Sequence, residues 1–116
     1  LSNIIDLVFS TGIDGLVATN TTISREGLKT SAASLEKIGA GGLSGKPVRE
    51  ASTAVLDFLV KESGGKFPII GVGGIMTPDD AKAKLDAGAS LVQLYTGFIY
   101  GGLGIVKSVK KHLAGH

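Results

Sequence analysis

The segment Pro68-Ile69-Ile70-Gly71-Val72-Gly73-Gly74-Ile75 runs from an apolar stretch into a glycine pair, and Thr77-Pro78-Asp79-Asp80 then opens a helix. Backbone N–H groups at a strand-to-helix turn converge and add to the positive end of the helix dipole. Such a turn therefore binds anions, phosphate above all. Glycine lets the chain turn tightly there and brings its N–H groups close to the ligand. The pattern recurs at Leu91-Val92-Gln93-Leu94-Tyr95, followed by Thr96-Gly97 and another helix-like segment. One glycine pair is as readily a plain tight turn. Two glycine-bearing turns on successive strands favour a phosphate site.

A third strand end carries different chemistry. Ala18-Thr19-Asn20-Thr21-Thr22 places small polar groups in a row. An Asn amide both donates and accepts hydrogen bonds, which suits a planar heterocycle with amide-like edges. The same residues also serve as ordinary turn caps. Gly41-Gly42-Leu43-Ser44-Gly45-Lys46-Pro47 forms another glycine cluster, without the G-x-x-x-x-G-K-[ST] spacing of a phosphate loop and without a strand before it. It reads as a hinge, or as a loop whose backbone lies against a flat ring. Arg25 and Lys46 are cations that could meet an anionic ligand or stay in solvent. Asp79 and Asp80 suit a helix start better than a catalytic carboxylate pair, and His112 and His116, beside Lys110 and Lys111, suit a solvated helix end. No residues have the spacing of a metal site or a nucleophile–base pair.

The elements that position these residues follow from periodicity. Ile4, Ile5, Val8 and Phe9 keep helical spacing, and Gly12 stops that helix. The chain opens inside a helix and without Met, so it is expected to be a piece of something longer. Residues 15–19 read as a short buried strand. A polar segment follows to about Lys46, long enough for a lid or binding loop, with a helical turn at residues 34–38. Pro47 opens a helix whose apolar stripe is Ala51, Val55, Phe58 and Leu59, and Gly64-Gly65 ends it. A strand over residues 67–72 is apolar enough to be buried on both faces. Thr77 caps the next helix, with Pro78 at its first position, Ala81 and Leu85 inward and Gly88 as its stop. A strand over residues 90–95 and a helix over residues 104–113 complete the order α–β–α–β–α–β–α. Parallel strands with right-handed crossovers follow.

Such strands belong either to a doubly wound sheet or to part of an eight-stranded barrel. Barrels place active sites at the carboxyl ends of strands and often hold phosphate with the last two loops and a short extra helix. Residues 97–102 leave room for that helix. The expected fold is therefore α/β, as the C-terminal three β/α units of a TIM (β/α)8 barrel, with residues 1–116 one part of a single domain.

Composition narrows the function. The 116 residues suit one domain, and glycine, at 18 residues, exceeds its average share of about 7%. Apolar residues make up 43%, which argues against disorder. A net charge of +2, from 12 basic and 10 acidic residues well mixed, leaves no electrostatic footprint for nucleic acid. Cysteine is absent, excluding disulfides and thiolate metal sites. No apolar run approaches the ~18 residues of a membrane span, so the segment itself is expected to be soluble.

ATNTT at Ala18–Thr22, GGLSGKP at Gly41–Pro47, PIIGVGGI at Pro68–Ile75 and AGASLVQLYTGF at Ala87–Phe98 occur in order. Together they resemble the C-terminal part of class 2, quinone-dependent dihydroorotate dehydrogenases, over nearly the whole chain apart from a variable stretch near residues 26–37. The Asn-Thr-Thr and Tyr-Thr-Gly versions favour class 2 over class 1. The resemblance implies an FMN-containing barrel, peripherally membrane-associated, that oxidises dihydroorotate to orotate in pyrimidine biosynthesis and passes electrons to quinone. It implies flavin contacts from Thr19, Gly45, Gly74, Tyr95 and Thr96. Gly73, Gly74, Tyr95 and Thr96 would hold the phosphate end through backbone groups, and Asn20 and Thr21 would hydrogen-bond the pyrimidine. The family's serine base and its remaining flavin and substrate contacts match no residue of this chain. They are expected upstream of Leu1, in the N-terminal part of the barrel with which the segment would pair. A non-catalytic half-barrel and another phosphate-binding barrel, such as a sugar-phosphate isomerase, are the alternatives. The latter needs a catalytic carboxylate at a strand end, and none stands at the visible ends.

Overall fold

The structure, a computed structural model, describes residues 1–115. Helix α1 (Ser2–Thr11) buries Ile5 and Val8, and Gly12, at φ 72°, ends it by donating its N–H to the Val8 carbonyl. Strand β1 (Leu16–Ala18) follows, then the long connection with α2 (Ala32–Ile38), capped by Ser31. A 3-10 turn (Lys46–Val48) leads into α3 (Arg49–Ser63). Strand β2 (Ile69–Val72), helix α4 (Pro78–Asp86), strand β3 (Leu91–Gln93) and helix α5 (Thr96–Ala114) complete the described chain.

The three strands are parallel and lie in chain order β1-β2-β3, with Val17 opposite Ile70 and Gly71 opposite Val92. A doubly wound sheet reverses strand order at its switch point, whereas a barrel keeps adding strands on one side. Crossovers of one hand then place the connecting helices α3 and α4 on the same face. Leu16, Ala18 and Ile69 meet Ile5, Val8, Leu56, Leu59 and Phe67 beneath the sheet, where Phe9 and Phe67 stack edge to face at 5.5 Å. Ile75, Ala81, Ile105 and Val109 form a second cluster between α4 and α5. Three strands in chain order with their helices on one face match consecutive units of a β/α barrel, an order that one half of a doubly wound sheet shares.

Three expectations change. The sheet is covered on one face only, with Val17 58% and Leu91 63% exposed on the other. That face corresponds to a barrel interior, which is filled by side chains from all the strands of a closed barrel. The buried stripe of α3 is Ser52, Leu56, Leu59 and Ser63, one position round from the apolar reading. The hydroxyls of Ser52 and Ser63 can be buried because they bond the Gly73 and Val60 carbonyls. The last helix begins at Thr96 rather than Gly104, and Gly102 (φ 59°, ψ −156°) breaks it into a short piece and a long one. The short piece occupies the stretch where an extra helix was expected.

Charged residues brace these layers. Asp80 and Thr77 form a capping box on α4. Asp80 also accepts from the Met76 N–H at 3.0 Å and pairs with Arg49 Nη1 at 3.1 Å, tying α3 to the turn after β2. Asp79 contacts His112 at 3.2 Å, so that histidine joins α5 to α4 rather than only ending a helix. His116 lies outside the described residues. Burial raises the Asp80 pKa, but the N–H groups of Met76 and Thr77, the Thr77 hydroxyl and Arg49 together hold it below its ordinary value of 3.8. The resulting stability is present above the unfolded-state pKa and is lost as pH falls through the lower folded-state value. Asp80→Asn should therefore lower stability by about 1–3 kcal/mol at neutral pH. It should also flatten the loss of stability below about pH 4, as checked by denaturant titrations across that range.

Candidate functional site

A cavity of about 640 Å³ opens at the carboxyl ends of the strands, within the ~300–1,000 Å³ common for small-molecule sites. Thr19, Asn20 and Thr21 after β1, Gly45 from the glycine-rich loop, Gly73 and Gly74 after β2, and Tyr95 and Thr96 after β3 all line it. The structure thus gathers these residues around one space, while Thr22, the last of the polar row after β1, lies outside it in a bridge with Leu43.

Local interactions hold these groups. The Thr19 N–H donates to the Val72 carbonyl at 2.8 Å, carrying the β1–β2 ladder to the rim, and the Ala18–Thr19 peptide is cis. Asn20 Oδ1 accepts from the Thr21 N–H at 2.8 Å, which orients the amide. Thr22 and Leu43 form an antiparallel bridge that folds the long connection back on itself. Thr96 Oγ1 lies 2.8 Å from Ser44 Oγ, locking the glycine-rich loop to the end of β3. Arg25 donates to the carbonyls of Ile23 and Gly41, so its guanidinium braces the loop rather than facing an anion. Lys46 does not line this main cavity but a neighbouring one, with Pro47, Met76 and Tyr100.

The glycine pair after β2 is required by space as well as by conformation. Gly73 has φ 121° and Gly74 φ 73°. A Cβ on Gly73 would stand 2.8 Å from Ser52 Oγ, and one on Gly74 would run into the backbone of Arg49. The turn is pressed against the start of α3, leaving its open side to the cavity. On the neighbouring loop, Thr96 and Gly97 begin α5, where the first N–H groups of a helix have no carbonyl partners within it. No Asp or Glu lines the cavity among the described residues. Helix-start N–H groups, small hydroxyls and the two amides of Asn20 and Gln93, without a carboxylate, suit a ligand that is both phosphorylated and heterocyclic.

Some contributors were missed. Ser44, Met76 and Gln93 also line the cavity. Behind the turn, Lys84 and Ser52 are each 1% exposed, and Lys84 donates to Ser52 Oγ. The sequence holds a faint sign of this: Lys84 stands three residues after Ala81, on the inward stripe of α4.

A parallel sheet in chain order, with helices on one face and a cavity of mixed polar and apolar lining at its carboxyl edge, fits part of a β/α-barrel enzyme. The family model for dihydroorotate dehydrogenase matches residues 1–116. This chain belongs to the dihydroorotate dehydrogenase family. The dihydroorotate dehydrogenase (quinone) of Christiangramia forsetii is 56% identical over 113 residues, covering 97% of this chain and 32% of the relative. That of Corynebacterium striatum is 50% identical, covering 94% of this chain and 30% of the relative. The chain therefore spans about a third of the length of these curated relatives. Among solved structures, a dihydroorotate dehydrogenase of Eimeria tenella in complex with ferulenol superposes with a TM-score of 0.86 at 42% identity, covering 97% of this chain and 29% of that one.

Proposed function

We propose that this chain supplies the phosphate-binding and pyrimidine-binding side of an FMN-dependent dihydroorotate dehydrogenase, which oxidises dihydroorotate to orotate and is reoxidised by quinone. The observation that carries this is the convergence of Thr19, Asn20, Thr21, Gly45, Gly73, Gly74, Tyr95 and Thr96 on one cavity at the strand ends. The cavity fits FMN on chemical grounds. Its two glycine-bearing turns suit a phosphate, and its threonines and asparagine suit an oxidised heterocycle and a pyrimidine. FMN would supply the two-electron acceptor for the hydride that leaves the substrate.

The residues of this chain bind and orient. Backbone N–H groups of Gly73, Gly74, Tyr95 and Thr96 hold the phosphate. Gly45 lets the loop backbone lie against the ring, with Thr19 as a further contact from the opposite rim. Asn20 and Thr21 pair with the amide edges of the pyrimidine. The base that removes the substrate proton, and the remaining β/α units, come from elsewhere in the assembled enzyme. No helix among the described residues is long and apolar enough to cross a membrane. Peripheral association of the complete enzyme with a membrane would bring the site near quinone. In the complete barrel, dihydroorotate should bleach the visible absorption of bound FMN, and a quinone should restore it. Protein purified without flavin, or with a flavin that dihydroorotate leaves oxidised, would overturn this reading.

A further inference from the structure

The buried Lys84 has no evident place in this scheme, although burying an ammonium is costly unless it is well bonded. Its three N–H bonds are all used: it donates to Ser52 Oγ, to Thr53 Oγ1 at 2.7 Å and to the Arg49 carbonyl at 3.3 Å. These oxygens are neutral, while the carboxylate of nearby Asp80 is taken by Arg49 and by the Met76 and Thr77 N–H groups. A positive charge therefore sits beneath the glycine turn with no carboxylate in contact.

The hydroxyl hydrogens then fall into place. Ser52 Oγ lies 2.9 Å from the Gly73 carbonyl and 3.0 Å from the Arg49 carbonyl, and a hydroxyl has one hydrogen to give. The Arg49 carbonyl already accepts from Lys84 and from Thr53 Oγ1 at 2.9 Å. Ser52, accepting from Lys84, is thus left to donate to Gly73. A trans peptide is planar, with its C=O and N–H on opposite sides. Drawing the Gly73 carbonyl toward Ser52 turns the Gly74 N–H away from it, toward the cavity that both glycines line.

We propose that Lys84 is a positioning residue for the anion turn: through Ser52 it fixes the Gly73–Gly74 peptide with its N–H toward the ligand phosphate, and it sets a buried positive charge behind that phosphate. The inference rests on the flavin-phosphate reading and adds residues that do not touch the ligand.

Burial pushes the Lys84 pKa down to about 8, partly offset by Asp80. The charge behind the turn is thus present at neutral pH and fades as pH rises through about 8. Among charged groups, Asp80 on α4 acts on Lys84 directly, and the guanidinium of Arg49 at the start of α3, whose carbonyl Lys84 meets, is paired with Asp80 and Glu50. Strands β2 and β3 carry no titratable residue. The phosphate itself, with a second pKa near ~6, stays dianionic across this range.

The test is equilibrium titration of the complete apoprotein with FMN and with riboflavin, which lacks the phosphate. Lys84→Met should weaken FMN about tenfold or more while leaving riboflavin unchanged, and Ser52→Ala should shift the ratio the same way. In the unsubstituted protein the preference for FMN should shrink as pH rises from 7 to 9, and this trend should be absent from Lys84→Met. The pH series needs no substitution, so it decides the matter even if the Met variant does not fold. An FMN preference that is flat with pH, or unchanged in a folded variant, would overturn the inference and leave the flavin site standing. No preference for FMN over riboflavin in the unsubstituted protein would overturn both.

Discussion

Gly74→Ala is expected to cost about 3 kcal/mol of stability and to leave the complete enzyme without bound flavin, from a left-handed penalty of ~1–2 kcal/mol and a packing conflict of ~1–3 kcal/mol. Gly74 has φ 73°, and its missing Cβ would enter the backbone of Arg49 at the start of α3. A clash with backbone has no side-chain rotamer to relieve it, so the turn or the helix must move. The matched control is Gly65→Ala. Gly65 has φ 69° but nothing within 4 Å of where an added methyl group would stand, so that variant should lose only the conformational part, about 1 kcal/mol, and keep its flavin. Denaturant midpoints and the flavin content of the purified variants measure both effects. Equal losses at the two positions would mean that close approach to α3 plays no part.

The isolated chain should show no dihydroorotate-dependent dye reduction, a loss of the whole activity rather than a fraction of it. On the proposed reading it contributes binding groups only, and among the described residues no carboxylate or histidine lines its cavity. It should also be poorly stable by itself. Strands β1 and β3 each leave an edge unpaired, and the face carrying Val17 and Leu91 has no helix over it. Such edges and apolar faces promote association. Supplying the remaining barrel units should restore both flavin binding and turnover. A monomeric isolated chain with a sharp cooperative melt would contradict the expectation of instability, and dye reduction by that chain would contradict the division of labour.

The glycine turns, the helix caps and the polar end of β1 were readable because their chemistry is local. Gly12, Thr77 and Pro78 act through residues within one turn, so their types nearly dictate their roles. Periodicity left two folds, the glycine-bearing loops after the last two strands favoured the barrel, and the likeness to a solved dihydroorotate dehydrogenase bears that out. What stayed hidden depends on partners far along the chain. Ser52 and Lys84 look like surface residues until α3 and α4 pack and bring them together across 32 positions. Burial of Ser52 also rotates the inward face of α3, which is why Ala51 lies outside it. For the Arg25 guanidinium the sequence left anion contact and solvent both open, because the loop carbonyls that claim it, Ile23 and Gly41, are assembled only by the fold.

The central claim is that the loops after β2 and β3 hold the FMN phosphate while Asn20 and Thr21 face the pyrimidine. A crystal structure of the complete enzyme with FMN and orotate tests it most directly. The phosphate should lie within hydrogen-bond distance of the backbone N–H groups of Gly74 and Thr96, with orotate against the Asn20 amide. A phosphate held elsewhere, or orotate bound away from Asn20, would contradict it.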